Sequence, residues 1–320
     1  MSSYLLLYRK LKNMLKNSFV YYNFKLKNYS TFKIGGRAKV FVDIGSLEDI
    51  IKLHSVLSKK DIPYFVLGNG SNTLISSSGY NGVVIYFGKH FSSIAVKDNY
   101  VLCDSGAMIC AVYGVAKDHA LSGLEGTAGL PASVGGMVYM NASCFGFESA
   151  SVVHSVLAMV DGRIKLFSNN ECNFGYRDST FQHMKDVIIL KVQFCLTPST
   201  VEDILVGYKD TLQKRLAIQP KGNSCGCVFR RMPGVQVSKM LDELGMKGVS
   251  FGSAVVSDKH ANFILNNGDA TSNDVVSLIH NIQDAFYEKY KMHLNLEIKY
   301  LGDQDEIIRW LSYSHSLHSW

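Results

Sequence analysis

Two short polar segments carry side chains that could act on a small molecule. Residues 176–181 read Tyr-Arg-Asp-Ser-Thr-Phe, which puts a guanidinium beside a carboxylate. Arg177 could clamp a substrate carboxylate or stabilise developing negative charge, or it could form an ordinary surface ion pair. Cys225 and Cys227 flank a glycine. A thiol with a reference pKa of about 8.5 can donate a proton near neutral pH, although the pair could equally be two small buried residues.

Two glycine-rich segments could hold an anionic or flat ligand. The segment 68–72 reads Gly-Asn-Gly-Ser-Asn and follows an apolar run at 65–67. Glycines let successive backbone N–H groups converge on an anion, and Ser or Asn side chains add donors. The segment 123–141 has five glycines within its first fourteen positions, which allows close backbone approach. An ordinary turn and a tightly packed buried crossing are the structural alternatives. Neither a Rossmann nor a P-loop fingerprint is present.

Metal and disulfide chemistry find little support in the cysteines and histidines. The seven Cys are irregularly spaced, with no secretory signal peptide before them. Such spacing argues against a disulfide framework and favours a reducing, cytoplasmic setting. Among the ten His no HExxH motif occurs, and no second cysteine pair completes a four-ligand zinc site. We therefore predict no metal site.

The composition bounds the class of protein. Of 320 residues, 47% are hydrophobic and 19% are charged, which supports a sizeable core and excludes wholesale disorder. No apolar run reaches the roughly 18 residues of a membrane span. The net charge is +6, but residues 1–42 hold nine Lys or Arg and no acid, so the remainder carries −3. A body without a basic face is a poor nucleic-acid binder. The leader 1–22 is either a loose basic arm or an organellar transit peptide.

Hydrophobic periodicity predicts the elements that must position these segments. Helical spacing marks 47–57, 108–119, 201–216, 237–244 and 272–290, and Thr271 with Asp274 resembles an N-terminal cap. Strands are predicted at 65–67, 83–87, 100–103, 156–160, 164–167, 187–194 and 294–300. Asp161-Gly162 is a hairpin turn signal. Alternation in the last strand places Glu297 toward solvent. This mixture predicts an α+β fold.

In this order, the blocks resemble the UDP-N-acetylenolpyruvoylglucosamine reductase (MurB) family over residues 26–302. The resemblance is carried by 28–38, 67–72, 129–136 with 140–142, 176–179, 219–220, 226–229, 260–266 and 296–297. It implies an α+β fold with a two-domain FAD-binding module of the vanillyl-alcohol-oxidase/PCMH type and a C-terminal α+β substrate domain. The expected boundaries are a basic leader 1–22, FAD-binding subdomains 23–88 and 89–198, a substrate-binding domain 199–302 and a tail 303–320.

The resemblance also implies a function and its residues. Such an enzyme uses FAD and NADPH to reduce UDP-N-acetylglucosamine enolpyruvate to UDP-N-acetylmuramate for peptidoglycan. Arg177 and Glu297 would stabilise an enolate-like state, and Cys227 would protonate the carbon where the family commonly has serine. Lys239 or Arg230 would hold the diphosphate, and oxidation could join Cys225 to Cys227. The FAD-binding residues would be Gly68, Asn69, Gly70, Ser71, Asn72, Gly129, Pro131, Ser133, Gly135, Gly136 and Asn141.

Two rival interpretations stay open at this point. One is another FAD oxidoreductase that shares the cofactor domains but acts on a different substrate. The other is a non-enzymatic module that binds flavin, or nucleic acid through its basic leader. In the tail, Ile307, Trp310 and Leu311 have helical spacing, which predicts either a short helix packed on the body or a partner-docking segment.

Overall fold

The computed structural model describes residues 3–303, 306 and 310. That part of the chain mixes helices with many short strands, which confirms the predicted α+β class. Its α-helices are α1 (Ser3–Met14), α2 (Leu47–Lys59), α3 (Ile109–Asp118), α4 (Val134–Tyr139), α5 (Val201–Ile218), α6 (Val237–Glu243) and α7 (Ser272–Tyr290).

The strands are mostly two to nine residues long. They are β1 (Phe19–Lys25), β2 (Arg37–Asp43), β3 (Tyr64–Leu67), β4 (Thr73–Ile75), β5 (Tyr80–Tyr86), β6 (Ile94–Lys97), β7 (Tyr100–Asp104), β8 (Leu121–Ser122), β9 (Ser143–Cys144), β10 (Phe147–Glu148), β11 (Val153–Val160), β12 (Arg163–Ser168), β13 (Val187–Cys195), β14 (Thr197–Pro198), β15 (Ser250–Phe251), β16 (Ala254–Val256), β17 (Ile264–Asn266) and β18 (Lys299–Leu301).

The chain divides into two compact units. The first contains Met1–Tyr22, Val40–Asn69 and Val84–Ala217, and the second contains Asn23–Lys39, Gly70–Val83 and Ile218–Trp320. The finer boundaries expected at 88, 198 and 302 stay a prediction. No helix in the described ranges is long and apolar enough to cross a membrane.

An antiparallel five-stranded sheet organises the first unit, in the order β12-β11-β13-β7-β6. The predicted hairpin is confirmed: Val160 pairs with Arg163, and Asp161 and Gly162 both take positive φ, at 47° and 76°. Two adjacent positive φ values match the tight turn that follows the twist of paired strands. Apolar residues of α3 and α4 pack with those of the sheet into one buried cluster, so α4 is held against a rigid platform.

The leader is ordered, and the expected loose arm is wrong. Leu7, Leu11 and Leu15 recur every four residues and are all buried, so α1 has an apolar face that packs inward. The link after α1 is anchored because the Asp49 carboxylate accepts from Asn17 N at 2.8 Å. β1 then forms an edge of a four-stranded sheet ordered β1-β2-β5-β3. The basic side chains lie on the outer face of a folded segment.

Shortening Leu11 tests whether the leader belongs to the folded body. Leu11 is fully buried, so Leu11→Ala is expected to lower the free energy of unfolding by about 2–5 kcal/mol. Chemical denaturation measures the change. The control is Lys10→Ala, whose side chain is exposed and whose effect should stay within about 0.5 kcal/mol. Equal, small effects from both variants would mean that the leader is not part of the cooperative unit.

The second unit packs α6 and α7 beside a small antiparallel sheet, β15-β16-β17. The predicted cap is confirmed: Thr271 Oγ1 accepts from Asp274 N at 3.1 Å and Asp274 Oδ2 accepts from Thr271 N at 2.8 Å. β4 and β18 form a separate parallel pair. Trp310 stacks on Tyr300, with ring centroids 5.1 Å apart, whereas Ile307 and Leu311 lie outside the described residues.

The predicted strand 294–300 is largely wrong. Only Lys299–Leu301 is a strand, and Leu296 forms a single bridge to Phe229. The segment changes its pairing partner along its length: Leu296 lies opposite Phe229, whereas Leu301 pairs with Ile75 of β4. Glu297 is 7% exposed, so the solvent-facing position expected from alternation is wrong as well. A carboxyl buried in this way is a candidate for function.

Candidate active site

In the first unit, the end of β3 meets the glycine-rich segment before α4. A Cβ atom on Gly68 would lie 2.2 Å from Ser133 Oγ, so a side chain there would displace the serine hydroxyl that caps α4. The next residue, Asn69, donates from Nδ2 to Pro131 O at 2.8 Å. Residues 68–69 and 131–133, which are far apart in sequence, therefore form one backbone-lined surface. Two of the segments expected to bind a cofactor are brought together here.

The loop 69–72 has backbone donors without protein acceptors. Within the described ranges, none of the N–H groups of Asn69, Gly70, Ser71 and Asn72 donates to an acceptor of the chain. Gly70 is buried, has φ +62°, and a Cβ there would lie 2.3 Å from Tyr29 O. Buried N–H groups without partners cost free energy unless a ligand or water satisfies them. The loop therefore fits an anionic group, as successive N–H groups do in anion-binding nests.

The glycines around α4 have different local roles. Gly135 N donates to Ser105 O at 2.8 Å, and Gly136 N donates to the capping Ser133 Oγ at 3.4 Å. Gly129 takes φ +70° beside Arg215, whose Cδ would be 3.0 Å from an added Cβ. These N–H groups at 135 and 136 already have protein partners. Their predicted place at the cofactor stays a prediction, and close packing explains why glycine stands there.

Asn141 joins α4 to the turn that carries Arg177. It is fully buried and has φ +39°. Its Nδ2 donates to Glu148 Oε1 at 2.6 Å and to Gly175 O at 2.8 Å, while its Oδ1 accepts from Ala150 N at 3.0 Å. The side-chain amide is thus fully engaged within the protein. By binding the carbonyl of Gly175, Asn141 helps to position the backbone two residues before Arg177.

Arg177 occupies a tight turn of the first unit. Gly175 and Asp178 bond reciprocally, N to O, at 3.0 and 3.1 Å, and Arg177 has φ +53°. Its Nη1 donates to Ser143 Oγ at 3.3 Å. The neighbouring Asp178 carboxylate contacts His183 Nε2 at 2.9 Å. The guanidinium is half-buried, a setting in which it can meet a substrate carboxylate.

The segments that carry Cys227 and Glu297 are hydrogen-bonded neighbours in the second unit. Glu297 N donates to Val228 O at 2.8 Å, and Val228 N donates to Asn262 O at 2.9 Å. Cys227 itself bridges Phe263. A thiol and a carboxyl separated by 70 positions are therefore on neighbouring extended segments. Within the same unit, Asn72 Nδ2 also donates to Glu297 O at 3.1 Å.

The glycine between the two cysteines lies in open space. Gly226 has φ +82°, and nothing within the described structure lies inside 4 Å of where its Cβ would be. Cys225 is 2% exposed, whereas Cys227 is half-buried. Burial, and to a smaller extent the nearby Glu297 carboxyl and Cys227 thiol, raises the pKa of Cys225. The scarce thiolate at Cys225 disfavours a disulfide with Cys227, although that pairing stays untested.

Thiol labelling should separate the cysteines by their environment. Burial raises the pKa of Cys103 and of Cys172 to about 12, so at pH 8 these thiols, like Cys225, carry almost no thiolate. We expect an aromatic disulfide reagent to modify the exposed Cys110 first. The three buried thiols should react only after unfolding, as peptide mass mapping would show. Labelling of folded Cys225 at the rate of Cys110 would contradict this expectation.

The residues proposed for the diphosphate remain open. Lys239 is exposed and lies 3.9 Å from Glu243 Oε1. Arg230 is half-buried, and its N donates to Asn295 O at 2.8 Å. Across the described residues, no group of three or more His, Cys, Asp or Glu could hold a metal ion.

Sequence reasoning missed Gln182 and Asn262, both of which hold site segments through their amides. Gln182 Nε2 donates to the carbonyls of Tyr139 and Arg177 at 2.9 Å each. Asn262 accepts from Phe229 N at 2.8 Å and donates to Phe229 O at 2.9 Å. The available signal was position alone, because Gln182 directly follows the segment 176–181.

Glycine-lined loops carried by α+β units fit the class of FAD-binding oxidoreductases. Residues 38–165 match the family model of an FAD binding domain, and residues 219–301 match that of the UDP-N-acetylenolpyruvoylglucosamine reductase C-terminal domain. The chain belongs to the UDP-N-acetylenolpyruvoylglucosamine reductase (MurB) family. Both the predicted family and the predicted combination of an FAD-binding module with a C-terminal domain are confirmed.

Relatives match along almost their whole length. A UDP-N-acetylenolpyruvoylglucosamine reductase of Caldanaerobacter subterraneus subsp. tengcongensis is 37% identical over 92% of this chain and 98% of its own. One of Syntrophomonas wolfei subsp. wolfei is 36% identical, over 93% and 100%. The crystal structure of the Thermus caldophilus enzyme superposes with a TM-score of 0.77 at 32% identity, covering 89% of this chain and 98% of that one.

Proposed function

We propose that this chain reduces UDP-N-acetylglucosamine enolpyruvate to UDP-N-acetylmuramate, with NADPH as the electron donor. The names of its relatives support the substrate. The observation that carries the chemistry is that Cys227 and Glu297 lie on neighbouring segments, which the 2.8 Å backbone bond from Glu297 N to Val228 O joins next to Cys227. A proton donor and a buried carboxyl are what an electron-rich carbon next to a carboxylate needs. The proposed setting is the cytoplasm.

The described residues fit FAD. The N–H groups of 69–72, which have no acceptor among the described residues, suit a diphosphate. Within the first unit, the surface of Gly68, Pro131 and Ser133 allows close backbone approach to a ligand. When bound, FAD would supply the redox chemistry of hydride transfer between NADPH and the methylene carbon of the enolpyruvyl group. The protein contributes binding, orientation and charge.

Arg177 is proposed to stabilise the substrate carboxylate. When the methylene carbon gains hydrogen, an electron pair develops on the adjacent carbon and delocalises into that carboxylate. A guanidinium fixed by its turn pairs best with this growing charge, which is the condition for stabilising a transition state more than a ground state. Ser143 Oγ, which accepts from Nη1 at 3.3 Å, helps to hold the side chain in place.

Cys227 is proposed to complete the reaction by protonating that carbon. The thiol gives its proton to the electron-rich carbon, and the resulting thiolate regains a proton from water. Glu297 assists by sharing a proton or hydrogen bond with the enolate-like group, because a bare carboxylate would repel it. The 7% exposure of Glu297 keeps this contact away from bulk water.

Anaerobic absorbance spectroscopy tests the proposal in two half-reactions. The purified protein with bound flavin is mixed with NADPH, and UDP-N-acetylglucosamine enolpyruvate is then added. We expect bleaching of the flavin band by NADPH and its recovery with the enolpyruvyl sugar. Bleaching without recovery would support the assignment as a flavoprotein but contradict the proposed substrate. That result would favour an FAD oxidoreductase of different specificity. Lack of bleaching by NADPH, with reduction by dithionite intact, would discard NADPH as the donor.

A further inference from the structure

The turn that carries Arg177 is closed by its own backbone but oriented by other residues. Gly175 and Asp178 bond to each other, which determines the shape of the turn and leaves its direction free. Arg177 stands inside it with φ +53°, a left-handed conformation that is uncommon for residues other than glycine. The carbonyl of Arg177 is also held from outside the turn.

Gln182 provides that hold. Its Nε2 donates to Arg177 O and to Tyr139 O, at 2.9 Å each. A primary amide has two N–H donors on one nitrogen, so one neutral side chain can bind both carbonyls at once. Ser179 Oγ donates to the same Tyr139 O at 2.8 Å. The carbonyl of Tyr139 is thus the common anchor of the segment that follows Arg177.

The anchor lies at the end of α4. Tyr139 is the last residue of this helix, and Ser133 caps the other end. Ser133 is also the residue that Gly68 approaches in the proposed flavin-binding surface. Asn141, just beyond the helix, holds Gly175 O at 2.8 Å. Hydrogen bonds therefore connect both sides of the Arg177 turn to the C-terminal end of α4, the helix whose first turn lies at this surface.

We propose that Gln182 is a positioning residue, which sets the distance of Arg177 from the reacting group by tying its carbonyl to the end of α4. This rests on the role of Arg177 in the proposed function. Gln182 does not itself touch substrate in the proposal. Its loss would leave the flavin-binding segments intact and let the guanidinium drift, and small misplacements of a catalytic group cost much of its effect.

A double-mutant cycle on the flavin-loaded enzyme tests the proposal. Gln182→Ala is expected to slow recovery of the flavin band by the enolpyruvyl sugar about 10- to 100-fold. Flavin content and the rate of bleaching by NADPH should stay unchanged. In an Arg177→Ala background, Gln182→Ala should cause almost no further slowing, because the group that it positions is already gone. Gln193→Ala, which removes an amide of β13 that pairs with Ser155, is the matched control.

The outcomes separate this inference from the proposed function. If Gln182→Ala slows recovery equally in both backgrounds, or not at all, Gln182 does not act through Arg177 and the inference is overturned. If Arg177→Ala alone leaves recovery unchanged, the proposed role of Arg177 fails, and the inference falls with it. Gln182→Glu keeps the side-chain size but presents a carboxylate to two carbonyls, so it should slow recovery as well. That variant replaces the alanine one should the latter fold poorly.

Discussion

Cys227→Ala is expected to abolish most of the second half-reaction, slowing recovery of the flavin band by about 10²–10⁴-fold, the range that a positioned general acid contributes. Bleaching by NADPH should stay normal, because this step needs no proton from Cys227. Stopped-flow absorbance with NADPH-reduced enzyme measures the two rates separately. The half-buried position of Cys227 beside the open space at Gly226 is the structural basis of the expectation.

Serine at position 227 gives the matched comparison. Cys227→Ser keeps a donor of similar size and should retain activity, whereas Cys110→Ala, at an exposed position, should leave both rates unchanged. Recovery at the normal rate in Cys227→Ala would remove Cys227 from the chemistry. The proton would then have to come from a different group.

Arg177→Ala is the second large effect that we expect, with recovery of the flavin band slowed by about 10²–10³-fold, the loss seen when one donor to a developing oxyanion is removed. Arg177→Lys should restore only part of the rate, because an ammonium lacks the planar fork that matches a carboxylate. Single-turnover measurement at saturating enolpyruvyl sugar separates this effect from weaker binding.

A surface arginine serves as the control for lost positive charge. Arg163 is exposed on β12, and Arg163→Ala should change neither half-reaction by more than a small factor. If Arg177→Ala raises only the concentration of sugar needed and leaves the saturated rate intact, Arg177 binds substrate uniformly and does not stabilise the transition state.

The helices and the hairpin could be predicted because their determinants are local. The helix 272–290 was predicted with its observed bounds, since its cap and its apolar periodicity are both readable within one segment. Asp161-Gly162 likewise specified its turn without help from the rest of the chain. The leader was predicted wrongly because only its basic charge was considered, although Leu7, Leu11 and Leu15 have helical spacing.

The site needed information that no single segment contains. Alternation placed Glu297 toward solvent, but tertiary pairing with Val228 and Asn72 buries it. Gly68 approaches Ser133, which is distant in sequence. Gln182, which belongs to no recognisable motif, donates to the carbonyl of Arg177. Contacts of this kind depend on how the chain returns to itself, which local propensity does not encode.

The amino-acid sequence by itself determined the α+β class, most of the helices, the turn chemistry and, through the order of its motifs, the family. Only the tertiary structure decided which side chains of those motifs are buried, which backbone donors stay free in the loop 69–72, and which amides orient the turn of Arg177. The physical reason is range: caps and periodicity act over a few residues, whereas burial and hydrogen-bond partners are settled by long-range packing.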